Sequence, residues 1–180
     1  MLFEILLAAI SISPISACTC PENLSILNCN TINPGNTTVK FEKPMTDGDE
    51  LILTGKFFEQ NQFSKARAIF DLSAINGATI LHFRQDFQTR GQREKILMNS
   101  RIGGRWGEVQ LSATPYKPGQ DVVIHVKKTD DIYEITLTDG VVLTFPHRLA
   151  ASENPVYFSY QGDWTVSSIQ MNCCSDEDSE

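Results

Sequence analysis

From residue 39 to residue 171 the chain is a succession of short runs in which apolar and polar residues alternate, each closed by turn-forming residues. The runs cover 50–54, 68–72, 79–87, 95–100, 106–111, 121–127, 132–138, 141–145, 156–160 and 164–171. Between them stand Asp47-Gly48, Asn76-Gly77, Arg90-Gly91, Gly103-Gly104, Pro118-Gly119, Asp139-Gly140 and Gly162-Asp163. Period-two alternation in short segments predicts half-buried strands, and no segment carries a convincing 3.6-residue period. Many short strands at this spacing predict an all-β sandwich or barrel in one domain. Asp139-Gly140, set between two such runs, is the strongest hairpin signal, because a two-residue turn needs positive φ.

Two neighbouring runs carry candidate chemistry. In 80–87, Leu81, Phe83 and Phe87 fall on one face and His82, Arg84 and Asp86 on the other. Downstream, Asn99 closes a run, Gly103-Gly104 predicts a tight hairpin, and Trp106 opens the next strand between small residues that leave its ring displayed. Polar groups beside an exposed tryptophan suit a sugar: they hydrogen-bond hydroxyls while the ring covers the apolar C–H side.

Composition narrows the partners. The formal net charge of −7 argues against nucleic acid, and no apolar run is long enough for membrane insertion. Residues 1–17 are apolar apart from Glu4 and a few serines, which predicts a secretory signal and an extracellular product, although lysine and arginine are absent ahead of the apolar core. Ile15-Ser16-Ala17-Cys18 also fits a bacterial lipoprotein box. Residues 18–38, rich in Asn, Thr and Pro, are expected to be a loop-rich leader with two glycosylation sequons, at Asn23 and Asn36. Cys18, Cys20 and Cys29 lie in this leader, and Cys173 and Cys174 near the other end. In an oxidising compartment that distribution predicts disulfides fastening the two ends together, and the odd count admits a disulfide-linked homodimer. Residues 173–180 add an acidic tail to the cysteine pair, expected to be solvated.

The cysteine spacing matches no common zinc site, the tail lacks the spacing of a calcium loop, and no nucleophile stands beside a base in a local motif. These residues point to a non-catalytic protein without cofactor or metal. His125, His147 and Trp164 have no context beyond packing and are expected to be structural.

Taken in order, these motifs resemble the carbohydrate-recognition domain of the galectins. The resemblance covers 39–172. It runs through Gly48-Asp49-Glu50-Leu51, Leu53-Thr54-Gly55, Leu81-His82-Phe83, Asn99-Ser100 and Gly103-Gly104-Arg105-Trp106-Gly107, then Pro115-Tyr116-Lys117-Pro118-Gly119-Gln120, Phe145-Pro146-His147-Arg148-Leu149 and Gln161-Gly162-Asp163. It implies a jelly-roll β-sandwich of two antiparallel sheets that binds galactosides, as glycans or glycoproteins, on one concave face.

The family's sugar motif runs His-x-Asn-x-Arg, then Asn, then Trp and Glu-x-Arg. His82, Asn99 and Trp106 match it, whereas Arg84 and Asp86 replace an asparagine and an arginine, and Val109 and Leu111 replace a glutamate and an arginine. Hydrogen bonds to charged groups contribute about 1.5–3 kcal/mol each, and about 1.4 kcal/mol is a factor of ten in affinity. The substitutions therefore predict weakened or lost lactose-type binding, with Arg84 and Asp86 either meeting a different glycan or pairing with each other. Simple alternation places Glu108 and Gln110 on the polar face, while the family register places Val109 and Leu111 there; a bulge after Gly107 would reconcile a carboxylate with that face. Two functions follow: a secreted galectin-like lectin with a divergent site, or a galectin-fold protein–protein module that has lost sugar binding and uses Trp106, Val109 and Leu111 as an apolar patch.

Overall fold

The computed structural model describes residues 23–28, 37–89, 93–149 and 153–172. The cysteines, Asn36, the 1–17 segment and the acidic tail lie outside them. The strands are β1 (Asn23–Asn28), β2 (Thr37–Lys40), β3 (Glu50–Phe57), β4 (Arg67–Ser73), β5 (Thr79–Asp86), β6 (Lys95–Ile102) and β7 (Arg105–Trp106). There follow β8 (Gln110–Ser112), β9 (Asp121–Lys128), β10 (Ile132–Thr136), β11 (Val142–Pro146), β12 (Tyr157–Gly162) and β13 (Trp164–Asn172). A 3-10 turn spans Gln60–Gln62.

Among the described residues every strand pairing is antiparallel. One sheet has the order β1-β13-β3-β9-β10-β11, the other β2-β12-β4-β5-β6-β7 with β8 also on β6. The two inner faces enclose the core, to which β3 contributes Leu51 and Leu53, β9 Val122, Ile124 and Val126, and β5 Leu81 and Phe83. Phe70 of β4 stacks on Phe83 with centroids 4.7 Å apart. This is the two-sheet antiparallel sandwich that the alternation and the resemblance predicted.

Turn chemistry fixes the hairpins that matter for the site. Gly103 and Gly104 have φ of 56° and 77°, the paired positive values of a two-residue turn whose twist matches its strands. At Asp139-Gly140 the Gly140 N–H donates to Leu137 and the Leu137 N–H to Val141, so the expected hairpin closes β10 onto β11, but through the three residues 138–140 rather than a two-residue turn, with Gly140 at φ 84°.

One strand was not expected and one run is corrected. Within the leader, β1 extends the first sheet by pairing with β13, Asn23 opposite Asn172. That strand was hidden by its mixed Asn and Ser composition and by the absence of a flanking glycine turn. The 106–111 run is not one strand: β7 ends at Trp106, β8 begins at Gln110, and residues 107–109 form an irregular step between them. Gly107 causes the break, donating its N–H to Ser100 O while Asn99 Nδ2 donates to its carbonyl.

Candidate functional site

The outer face of the second sheet is built from cross-strand rows. In one row Asp71 of β4 stands opposite His82 of β5, which stands opposite Asn99 of β6. The next row is Ile69, Arg84, Leu97 and Leu111, the last on β8. Beyond it come Arg67, Asp86 and Lys95. At the other end Trp106 lies opposite Arg101. The structure thus brings His82, Arg84, Asp86, Asn99, Trp106 and Leu111 onto one sheet face, with exposed Val109 in the step leading into β8.

Trp106 is 52% exposed and meets the His82 ring edge-on, with centroids 4.8 Å apart. The ring is thus held by a neighbour while half of its surface stays open to solvent. His82 is itself buried beneath it, and its Nδ1 lies 2.6 Å from Asp71 Oδ1. A carboxylate there favours the tautomer with hydrogen on Nδ1, which leaves Nε2 as an acceptor for a hydroxyl. Asp71 was not found from the sequence; the signal lay in the position of strand 68–72 next to strand 79–87, and pairing order is not legible in a single strand.

Arg84 and Asp86 pair with each other, Nη2 to Oδ2 at 2.7 Å. Asp86 also has Arg67 and Lys95 as cross-strand neighbours, so its carboxylate balances cations along the sheet. Asn99 is only 3% exposed and its amide is engaged. Its Oδ1 accepts from the Ser100 N–H at 2.8 Å and from Arg148 Nη1 at 3.1 Å, and its Nδ2 donates to Gly107 O at 3.2 Å. One amide N–H is left over for a ligand.

Val109 and Leu111 are 45% and 57% exposed. Gln110, by contrast, turns toward the opposite sheet, where Nε2 donates to Thr144 O at 2.8 Å. The step at Gly107–Val109 therefore sets the register implied by the resemblance and overrides simple alternation, which would have buried both apolar side chains. Trp164 is buried in the core and Gln161 O accepts from its Nε1, a packing role. Among the described residues no group of three or more His, Cys, Asp or Glu is arranged to hold a metal ion. No helix among them is long and apolar enough to cross a membrane.

The outer face of this two-sheet sandwich thus carries an exposed indole against an imidazole, with the Asn99 amide beside the imidazole. The family model for galactoside-binding lectins matches residues 36–171, so the chain belongs to that family, the galectins, which are non-catalytic lectins. Bovine galectin-1 is 34% identical over 102 residues, 56% of this chain and 75% of that protein. Mouse galectin-2 is 34% identical over 86 residues, 47% of this chain and 65% of that protein. A putative uncharacterized protein of Caenorhabditis elegans is 29% identical over 165 residues, 85% of this chain, of which the match spans only 13% of the relative. Among solved structures, CG-16, a homodimeric agglutinin from chicken liver, superposes with a TM-score of 0.66 at 23% identity, covering 76% of this chain and 98% of that one. Toad ovary galectin in complex with thio-digalactose gives 0.66 at 20% identity, with the same coverage. At such identity these structures bear on the fold alone.

Proposed function

We propose that the protein binds a glycan on the outer face of the second sheet, with Trp106 as the stacking plate and His82, Asn99 and Arg84 as the hydrogen-bonding groups. The observation that carries this reading is Trp106 itself, half exposed and seated edge-on against His82, whose Nδ1 is committed to Asp71. An exposed indole beside hydrogen-bonding groups offers the apolar plate that the C–H side of a sugar ring can cover. The family membership supports a galactoside as the sugar.

The face is divergent. Arg84 is tied to Asp86, and Val109 and Leu111 bring exposed apolar surface where the family motif has a carboxylate and a guanidinium. Ordinary lactose binding is accordingly weak, and the preferred glycan presents an apolar substituent or a longer chain along β8. A glycan array probed with the labelled protein tests the reading; silence on every glycan at high protein concentration would refute it.

Export is inferred from residues 1–17, the sequons at Asn23 and Asn36, and the cysteine distribution. The pairing of Asn23 with Asn172 brings the described ends of the chain side by side, which supports bridges between the leader cysteines and Cys173 or Cys174. Peptide mapping of secreted protein under non-reducing conditions checks both, and the same material run on a non-reducing gel reports any disulfide-linked homodimer.

A further inference from the structure

Arg148 follows β11, in the first sheet, yet its guanidinium ends on the second. Nη1 donates to Asn99 Oδ1 at 3.1 Å and to Glu108 O at 2.7 Å, and Cζ lies 4.6 Å from the centroid of the Phe145 ring. It reaches them at the break between β7 and β8, where the second sheet lacks a continuous outer strand. Gly107 makes room for it, since a Cβ there would lie 2.8 Å from Nη1. Among the described residues no carboxylate is within ion-pair distance of this guanidinium. Its donors instead go to a side-chain amide oxygen and a backbone carbonyl.

We propose that Arg148 is the positioning residue of the glycan face, acting through Asn99; the inference rests on the glycan-binding reading above. Arginine has donors only, and the backbone N–H of Ser100 is also a donor, so the Asn99 atom they share must be the oxygen. That fixes the amide plane. Nδ2 then gives one hydrogen to Gly107 O and presents the other to a hydroxyl oxygen of the sugar. By holding Glu108 O, the same guanidinium pins the step that separates Trp106 from Val109 and Leu111. Without Arg148 the Asn99 amide keeps only its bonds to Ser100 and Gly107 and is held less firmly, so a ligand must order it further on binding.

The test uses 15N-labelled full-length protein, with the Asn99 side-chain amide signals assigned by their loss in Asn99→Ala. In Arg148→Gln those signals shift and exchange faster with solvent while the backbone spectrum stays that of a folded protein. In Arg148→Lys, whose ammonium is a point donor rather than a planar fork, the change is intermediate. Titration with lactose at millimolar concentrations gives the second readout. Arg148→Gln lowers affinity about three- to tenfold on the natural background, the scale of ordering one side chain on binding, and less than about twofold on Asn99→Ala, since coupled residues are not additive. Unmoved Asn99 signals in a folded Arg148 variant, or an equal loss on both backgrounds, would overturn the assignment. If the natural protein gives no response to lactose, the glycan reading fails for that sugar, and the Asn99 signals alone still decide what Arg148 does.

Discussion

Asp71 and His82 face each other across β4 and β5 with Oδ1 and Nδ1 2.6 Å apart, and the imidazole so held meets Trp106 in a T-shaped contact. The contact links a half-buried carboxylate-imidazole pair to the exposed tryptophan. It decides which hydrogen-bonding role His82 offers a ligand, because a proton fixed on Nδ1 leaves a lone pair on Nε2.

Asp71→Asn tests that link. An amide can donate through Nδ2 to Nδ1 and thereby invert the tautomer, turning Nε2 into a donor. The expected outcome is a His82 tautomer change seen in long-range 15N–1H spectra, with glycan affinity reduced about three- to tenfold, the scale of one neutral hydrogen bond. An unchanged tautomer would separate Asp71 from the site.

Asp86 holds Arg84 and has Arg67 and Lys95 as its cross-strand neighbours. Asp86→Arg, which restores the residue of the family motif, places a cation in a row of cations. Like charges directly opposite in a sheet are destabilising by about 0.2–1 kcal/mol per pair, so the urea midpoint falls by a comparable small amount. The divergence at position 86 is therefore coupled to position 67 and not separately reversible. A midpoint that rises on substitution would contradict this.

Asp163 explains part of the protein's expected acid sensitivity. Burial pushes its carboxyl upward, but the Ser64 hydroxyl and the backbone N–H groups of Ser64, Lys65 and Arg67 more than offset it and hold the group below its ordinary value. A depressed folded value means stability that is complete above the unfolded carboxyl value near ~3.9 and lost as pH falls through the folded one. Asp163→Asn costs about 1–3 kcal/mol at neutral pH, the penalty of leaving buried donors unpaired. It also flattens the acid limb of a stability–pH curve measured by urea unfolding.

Phe70 has no exposed surface and stacks on Phe83 at the centre of the second sheet's inner face. Phe70→Ala should cost about 3–5 kcal/mol, transfer and cavity terms together. Calorimetry measures it. A loss under about 1 kcal/mol would mean that the core collapses around the gap.

The fold was legible because the core is written in period two: Leu51 with Leu53 and Val122 with Ile124 and Val126 alternate along β3 and β9, and Gly103-Gly104 and Asp139-Gly140 mark where the chain reverses. Strand β1 was not legible, since its edge position on β13 asks for backbone pairing and little apolar patterning. At the site, His82, Arg84, Asp86, Asn99 and Trp106 could be placed on one face from alternation and resemblance. Their bonds could not. Asp71 and Arg148 join His82 and Asn99 from 11 and 49 residues away, and only the pairing of strands and the edge-to-edge approach of the two sheets creates those contacts. The register at Val109 and Leu111 depended on a break at Gly107 that period-two counting cannot see.

The central claim is that Trp106 is the plate on which a sugar lies. Probing one glycan array in parallel with the natural protein and with folded Trp106→Ala tests it most directly. The prediction is that at least one galactose-containing glycan binds the natural protein and is lost from the variant. Binding that persists in Trp106→Ala, or no glycan bound by the natural protein, would contradict it.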